Sequence, residues 1–372
     1  PITPAAPSAR GRYHLCMPSP NRAWLILAHA YLRVPELRLL LERFGSVEEI
    51  VAQPRAALAG TGLADEKCDA LVSPDEAAID ATLAWLDDDA HRLVTWGGED
   101  YPELLSQIPG PPLVLYVNGD VDALHLPALA IVGSRNPTQG GARNAREFAR
   151  HLAGQGFTIV SGMAQGIDAA AHRGALEAGG KTVALLGTGI DRVYPAVNRK
   201  LAHDIAKEGA LVTEYPLGAA PERWRFPERN RLISGLSLGT LVVEAARRSG
   251  SLITARLAGE QGREIFALPG SIHNPLSRGC HELIRQGAKL VETAADIVAE
   301  LGPLTGHMHG DDDGYDTLRQ CLDHDPVSID ELEKRSGLTI EQLSSMLLIL
   351  ELHGEVESLS GGRYVKKEPL QA

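Results

Sequence analysis

The sequence predicts an α/β protein: a doubly wound parallel sheet with a small helical domain before it and a winged helix after it. Three observations carry that expectation. Between Ala128 and Leu301, short apolar runs alternate with helical stretches at regular intervals, the pattern of successive βα units with right-handed crossovers. Several of those runs break into glycine-rich turns that open helices. The flanks, residues 21–90 and 315–372, read as short helices with start and stop signals, the second closing in a hairpin.

The central unit begins with the apolar run Ala128-Leu-Ala-Ile-Val132, which breaks into Gly133-Ser134-Arg135-Asn136-Pro137. A helical pattern leads to a second run, Phe157-Thr-Ile-Val160, and a second break, Ser161-Gly162-Met-Ala-Gln-Gly166-Ile-Asp168. Free backbone N–H groups and the positive end of a helix dipole gather at such turns, so they suit phosphate. Arg135 adds a fixed charge with a bidentate fork. Alternatively the glycines merely permit tight turns. One turn would be read that way; two in succession, one with arginine beside Gly-Ser, favour an anion site.

Further strands are expected near 182–187, 210–214, 239–244, 264–268 and 289–292, with helices at 138–153, 166–178, 197–208, 229–236, 252–262, 278–286 and 294–301. Arg92–Trp96 and Leu113–Val117 read as two strands leading into this sheet, separated by the proline-punctuated Pro109-Gly-Pro-Pro112. Ligands of such sheets lie beyond the carboxyl ends of the strands. Glycines and arginines converge there: Gly133, Ser134 and Arg135, then Gly162 and Gly166, then Gly187-Thr-Gly189.

The segment after the fourth of these strands is the most informative. Residues 221–231 hold Arg223, Arg225, Arg229 and Arg231 against two glutamates, interleaved with Trp224, Phe226 and Asn230, on what reads as a proline-broken loop. Such a mixture suits single-stranded nucleic acid, with charges tracking phosphates and rings stacking on bases at ~1–3 kcal/mol per base. A solvated helix entry is the plainer reading. Farther on, Ser249-Gly250-Ser251 caps the next helix, and its N–H groups suit another phosphate.

Catalytic and cofactor patterns are missing. No GxGxxG occurs, and Gly180-Lys181-Thr182 lacks the first glycine of a phosphate loop and precedes a strand rather than a helix. Neither GxSxG nor HExxH occurs. His172, His273 and His281 lie at unrelated spacings and read as packing or surface histidines. These patterns supply no candidate catalytic residue, metal ligand or cofactor site, and the residues themselves supply an anion pocket with aromatics.

Composition bounds the rest. The chain has 372 residues, enough for two or three domains, with 44% hydrophobic and 23% charged residues. No apolar run approaches the ~20 residues of a membrane span. Residues 1–20 lack the apolar core of a secretory signal and read as a flexible leader. Four dispersed cysteines without a CxxC pair suit a reducing cytoplasm. A net charge of −12 argues only weakly against nucleic acid, because local patches decide phosphate contacts.

In residues 21–90, Ser46 before Glu48 and Glu49 reads as a helix cap. Two short helices about Gly60-Thr-Gly62 look like a helix-hairpin-helix or a sterile-alpha-motif-like bundle, suited to a DNA backbone or to packing. Residues 91–302 form the sheet domain, and 303–314, rich in glycine, a linker. The linker reading is preferred to a weak metal site at His307 and His309 beside three aspartates. In residues 315–372, capping boxes at Ser328–Glu331 and Thr339–Gln342 and a closing hairpin make a winged helix. Its third helix carries Glu341 and Glu351 and no Lys or Arg, which favours protein contact, with Arg363, Lys366 and Lys367 leaving room for DNA.

These residues resemble a known family. Gly133-Ser-Arg135, Ser161–Asp168 with His172, Gly187–Asp191 with Tyr194-Pro195 and Asn198, Glu214-Tyr-Pro216, Phe226–Arg231, Glu244–Thr254 and Leu268–Ser271 are similar, in order and spacing, to the DNA-processing protein A (DprA, or Smf) family over about 110–302. The resemblance implies an extended Rossmann-like domain and a cytoplasmic, non-enzymatic protein. It implies single-stranded DNA binding without strong sequence preference, protection of that DNA, and loading of RecA onto it during natural transformation. The family's DNA pocket carries over to Arg135, Gly162, Arg223, Phe226, Arg229 and Arg231, and its homodimer contacts to His281, Ile284 and Leu290. A lysine found in some members is Ala196 here, with Arg192, Arg199 and Lys200 nearby.

Two other classes compete. Nucleotide phosphoribohydrolases of the lysine-decarboxylase-like superfamily carry Pro-Gly-Gly-x-Gly-Thr-x-x-Glu and cleave an N-glycosidic bond. Here Gly239-Thr240 is followed by Glu244 one residue late, and no Pro precedes Gly235. A transcription factor working through the winged helix is disfavoured by its acidic third helix.

Overall fold

The computed structural model describes residues 20–301 and, farther on, 317–318, 321–322, 327–339, 343, 347, 356–359 and 363–366. The expected leader (all but residue 20), the linker with His307 and His309, Lys367 and the acidic residues Glu341 and Glu351 lie outside the described residues.

Six helices open the chain: α1 (Pro20–His29), α2 (Val34–Phe44), α3 (Val47–Val51), α4 (Arg55–Ala59), α5 (Asp65–Val72) and α6 (Glu76–Trp85). Ser46 caps α3 as its sequence position predicts, its hydroxyl accepting from the Glu49 N–H at 3.2 Å. The α4–α5 turn carries Gly60 and Gly62, and its cations are engaged within the bundle: Arg43 donates to the Gly60 carbonyl at 3.2 Å. Arg55 bridges Asp65 and Asp69 at 2.9 and 2.5 Å. Leu25, Leu37, Leu40 and Ile50 form a core continuous with Val114, Tyr116 and Leu186, so this bundle packs on one flank of the sheet.

The sheet follows: β1 (His91–Thr95), α7 (Glu103–Ser106), β2 (Val114–Gly119), β3 (Ala128–Val132), α8 (Gln139–Gly154), β4 (Thr158–Ser161), α9 (Ile167–Glu177), β5 (Thr182–Leu185), α10 (Arg199–Glu208) and β6 (Ala210–Thr213). The second half comprises α11 (Arg225–Gly235), β7 (Gly239–Val242), α12 (Gly250–Glu260), β8 (Glu264–Ala267), α13 (Arg278–Arg285), β9 (Lys289–Leu290) and α14 (Ala294–Leu301). Every strand expected from the sequence is present, each within a few residues.

Spatial order is β1-β2-β6-β5-β4-β3-β7-β8-β9. Strands β3 to β9 pair in parallel; β1 and β2 extend that sheet as an antiparallel edge, β2 pairing with β6. The chain winds from β3 to β6 in one direction and from β7 to β9 in the other. The reversal lies between β3 and β7, whose register sets Leu129 against Gly239 and Val132 against Val242. At such a switch point two neighbouring strands send their following helices to opposite faces, leaving a crevice beyond their carboxyl ends. The turns at Gly133 and Val243 therefore flank the natural ligand site.

The faces are apolar as a parallel sheet requires. Leu129, Ile131, Ile159 and Phe266 pack under α8 and α9, and Ala130, Val132, Val212 and Val242 lie on the other face. Helices α8 and α9 approach closely at Gly174, where a Cβ would lie 2.1 Å from the Arg146 carbonyl oxygen.

The C-terminal unit pairs β10 (Val327–Ser328) and β11 (Val356–Leu359) on either side of β12 (Arg363–Lys366), with α15 (Ile329–Ser336) between the first two in sequence. Leu318, Leu332, Leu343 and Val356 make its core. Helix α15 stops at Gly337 in the left-handed region, but the Ser328 side chain does not make the expected capping bond.

His172 is a packing histidine, as its spacing suggests. It is fully buried on α9, with Nδ1 2.7 Å from the Thr182 hydroxyl, which itself donates to the Ile159 carbonyl. Burial, aided by Arg229 and Arg173, depresses its pKa from 6.5 to about 3. The unfolded chain therefore takes up a proton near pH 6.5 that the folded chain refuses until about pH 3, and stability falls as pH drops through that window. The slope from this residue is at most about 1.4 kcal/mol per pH unit. Urea denaturation of His172→Gln between pH 6.5 and 4 is expected to show a shallower loss of stability with acid than the parent chain.

Candidate nucleic-acid interface

The two glycine-rich turns do not present empty anion cradles; the chain fills them itself. At the end of β4, the Gly162 and Ala164 N–H groups donate to Asp168 Oδ2 at 3.2 and 3.3 Å. Asp168 is 7% exposed, and burial holds its carboxyl above the usual carboxylate range. At the start of α8, the Thr138 N–H and hydroxyl donate to the Glu244 carboxylate at 2.8 and 2.7 Å. Glu244 is also 7% exposed and arrives from the end of β7, across the switch point. Each turn thus attracts an anion, as a helix N-terminus should, but the anion is a side chain of this protein.

The glycines in these turns serve protein packing. A Cβ at Gly162 would lie 2.8 Å from an Arg229 guanidinium nitrogen and 2.9 Å from Asp168 Oδ2. Gly166 adopts φ +83°, and a Cβ there would lie 2.4 Å from the Ser134 carbonyl oxygen. For both residues the tight-turn reading holds. Gly133 is crowded likewise by Ile167, and Ser134 spends its hydroxyl on the Asn136 N–H at 3.1 Å.

The arginine-rich segment is mostly helix. The expected proline-broken loop is instead the first turn of α11, where Pro227 is tolerated because its missing N–H would have no intrahelical partner. On a helix, Arg229 shares a face with Leu232, Ile233 and Leu236, and it is 4% exposed. Its guanidinium donates to the Gly162 carbonyl at 3.0 Å and to that of Leu185. Burial lowers its pKa to about 10, still cationic at neutral pH and facing Asp168. Arg231 turns away from the crevice and pairs with Glu214, both side chains largely buried. Burial raises the Glu214 carboxyl despite that partner. Of the four arginines, only Arg223 is fully exposed, and it lies outside the cleft.

What remains open is a cleft of about 190 Å³ at the switch point. Gly133 and Arg135 from the β3 turn, Phe226, Arg229 and Asn230 from α11, and Ser249, Gly250 and Ser251 from the start of α12 line it. The topology thus brings together most of the predicted residues, from segments more than 110 positions apart. Gly162, Gly166, Ser134, Arg223 and Arg231 do not line it. Arg135 is exposed and forms no ion pair within 4 Å among the described residues. Ser249 caps α12, accepting from the Ser251 N–H at 3.3 Å, and the Asn230 amide reaches the Gly250 carbonyl at 3.4 Å.

Phe226 is the aromatic ring in the lining of the cleft, and other rings stand on the same segment or beside it. Phe226 packs over Gly187, and Tyr194, 49% exposed, lies 5.4 Å away ring to ring. Trp224, 55% exposed, meets Tyr215 edge-on, and the Arg225 guanidinium lies 5.1 Å from both ring centres. That stack fixes Arg225 and Trp224 at the surface. Reading the sequence missed Tyr194 as the ring partner of Phe226 and Asp168 as an internal anion. Both stand inside quoted motifs, and an acid in the first turn of α9 was the available signal for Asp168.

Asn198 supports the floor. Its amide donates to the Met163 carbonyl at 2.8 Å, holding Met163 at φ +59°, a backbone state rare for a residue with a side chain. The residues expected at a dimer contact behave differently from one another. His281 Nε2 accepts from the Gly270 N–H at 3.3 Å, Ile284 is half-buried, and Leu290 is 43% exposed on edge strand β9. Among the described residues no helix is long and apolar enough to cross a membrane, and no cluster of three His, Cys, Asp or Glu stands in metal-binding geometry.

Comparison with known proteins agrees with this architecture. The profile of the family described as DNA recombination-mediator protein A matches residues 92–302, and that of the DprA winged helix domain matches residues 307–362. The chain is 40% identical to Protein Smf of Escherichia coli over 82% of this chain and 85% of that one. It is similar to the solved DNA processing protein A of Streptococcus pneumoniae, with TM-score 0.67 and 36% identity, over 75% of this chain and 97% of that one. It is also similar to DNA processing protein A of Helicobacter pylori, solved for its single-stranded DNA binding mode, with TM-score 0.52 and 32% identity, over 56% and 95% of the two chains.

Arg229 and Arg135 are thus expected to separate in a stability measurement. Arg229→Met leaves Asp168 buried without its cation and strips a donor from two buried carbonyls, so urea denaturation should show a loss of about 3 kcal/mol. Arg135→Ala, on the surface, should stay within about 0.5 kcal/mol of the parent. Equal, small effects would show that the Arg229 network is not holding the floor of the cleft.

Proposed function

The chain belongs to the DNA recombination-mediator protein A (DprA/Smf) family, and on that premise we propose that it binds single-stranded DNA at the switch-point cleft. The observation that carries the proposal is the division of labour among its charges. The inner carboxylates are consumed by backbone amides and Arg229, while Arg135, Asn230 and the start of α12 face the opening. Phosphates would sit on Arg135 and the α12 turn, and bases would stack on Phe226, Tyr194 and Trp224. Arg229 then acts as a positioning residue for Gly162 and Asp168, and Arg231 as a structural one. Arg223, exposed ahead of α11, is the arginine of its segment best placed to meet a passing phosphate.

In this reading the protein is a cytoplasmic DNA-processing factor of natural transformation that protects incoming single strands and passes them to RecA. It would act as a homodimer through the end of the sheet carrying His281, Ile284 and Leu290. Exposed Leu290, with Ile272 at 72% exposure, supports an apolar contact there. Two pockets in one dimer would raise the affinity for long strands without any new contact.

Nucleotide hydrolysis is the second reading. The engagement of Glu244 argues against it, since a carboxylate accepting from Thr138 N–H and hydroxyl is neither free as a base nor open to the cleft. No catalytic role is assigned to any residue.

Titration of fluorescent oligothymidylate at two salt concentrations tests the proposal. The parent chain should bind with an affinity that falls steeply with salt. Arg135→Ala should weaken binding about 10- to 100-fold, the loss of one charge-assisted contact of ~1.5–3 kcal/mol. Unchanged binding in that variant would move the DNA site elsewhere. No binding by the parent, together with turnover of a nucleoside monophosphate that Glu244→Gln abolishes, would replace this reading with the hydrolase.

A further inference from the structure

The cleft does not end at the start of α12. The segment between β7 and α12, residues 243–249, runs out from the switch point and carries Arg247 and Arg248 side by side on the surface. Two shallow surface grooves continue from there. The first, about 360 Å³, shares Ser249 and Gly250 with the cleft and is walled by Arg247, Arg248 and Arg256. The second, about 570 Å³, shares Arg247 and Arg248 with the first and is closed by Arg285 of α13.

Four arginines on one continuous path are notable in a chain of net charge −12. Their local acids are few and spend little of that charge. Arg247 lies 4.0 Å from Glu282 and Arg256 lies 3.6 Å from Glu260, with all four side chains more than 40% exposed. Such solvated pairs are worth little and yield readily to a stronger anion. Arg248 and Arg285 form no ion pair within 4 Å among the described residues. The backbone under them is fixed: the Ala245 N–H donates to the Leu276 carbonyl, the Gly279 N–H to that of Ala245, and the Ser249 N–H to that of Ala246. The cations therefore project from a tied-down turn rather than from a loose loop.

We propose that these arginines form a second segment of the single-stranded DNA path, carrying the phosphodiester backbone out of the cleft across the start of α12 toward α13. This rests on the cleft being a DNA site. Continuity and charge fix the occupant: a strand seated on Arg135 and the α12 turn has this cationic groove as its neighbour. The groove carries no aromatic ring, so it holds phosphate without gripping the base. The cleft and its rim select single strands by stacking; the groove adds affinity in proportion to strand length. Arg285 adjoins Ile284, so the path ends beside the proposed subunit contact, and in a dimer the strand would be led toward the second subunit.

The test compares the full-length chain with a Arg247→Ala/Arg248→Ala/Arg285→Ala variant on two oligothymidylates. One is about six nucleotides long, enough for the cleft; the other is about thirty, long enough to run beyond it. The variant should bind the short strand as the parent does and the long strand at least about tenfold more weakly. The slope of log affinity against log salt for the long strand should fall by about two, as expected for three phosphates at ~0.7 each. A variant indistinguishable from the parent on both strands overturns the path while leaving the cleft reading intact. Loss on the short strand to the same degree as on the long one also overturns it, since the arginines would then belong to the cleft or to its folding, which a melting curve tells apart. If the groove instead takes an acidic peptide, a polyglutamate competitor displaces nothing from the cleft but binds the parent and not the variant, and the long-strand slope is unchanged. Failure of the cleft reading itself has a separate signature: Arg135→Ala then leaves short-strand binding intact.

Discussion

The constraint on which the site depends is the satisfaction of backbone amides at the ends of β3 and β4 by carboxylates of the same chain. Asp168 takes the amides after β4 and Glu244 takes the amide that opens α8. Neither acid is cheap to bury, and each is retained because it has charged-group hydrogen bonds and, for Asp168, a cation opposite. Arg229 completes that arrangement by reaching two carbonyls on neighbouring strand ends. The three residues come from α9, β7 and α11. They lock the two halves of the sheet together at the point where its winding reverses, and the crevice floor is rigid as a consequence.

A floor built this way is poorly suited to grip a phosphate, because the Gly162, Ala164 and Thr138 amides are engaged and two carboxylates, Asp168 and Glu244, outnumber one guanidinium, Arg229. In the proposed reading the binding groups stand one layer farther out. Arg135 projects from the turn whose amides are already satisfied. Asn230 lies one residue beyond Arg229 on α11, so the same helix that anchors the floor presents an amide to the opening. Ser249 and Ser251 cap α12 without an acid between them. The inner layer sets positions and leaves the outer layer to make the proposed contacts, the arrangement a binding site needs if its donors are to be held in place before the ligand arrives.

Much of this was legible in the sequence. Short apolar runs bounded by glycine located every strand of the parallel part, because buried parallel strands carry no alternation that could be confused with a helix of useful length. The convergence of Arg135, Asn230, Ser249 and Phe226 followed from topology alone. Three things did not follow. Pro227 reads as a loop breaker, yet it stands in the first turn of α11, where proline is permitted. The direction of Arg229 was encoded in its spacing to Leu232, Ile233 and Leu236, but four arginines in a row draw attention to charge before periodicity. The Glu244–Thr138 contact spans 106 positions and has no local signature. Glycines that resemble phosphate cradles were therefore read by their neighbours in sequence, when their neighbours in space were Arg229, Asp168 and the Ser134 carbonyl.

The net charge of −12 shows the same distinction from another side. An acidic protein should repel a polyanion, and the sum over the chain says so. The sum counts Asp168, Glu214 and Glu244 as though they faced the strand. Each is instead engaged by amides or arginine, Asp168 and Glu244 being 7% exposed, with Asp168 meeting the cleft only as part of its floor. At the proposed site a phosphate would meet Arg135, which is exposed and forms no ion pair within 4 Å among the described residues. Burying Asp168 and Glu244 does more than stabilise turns: it keeps two carboxylates of the proposed binding site off the surface.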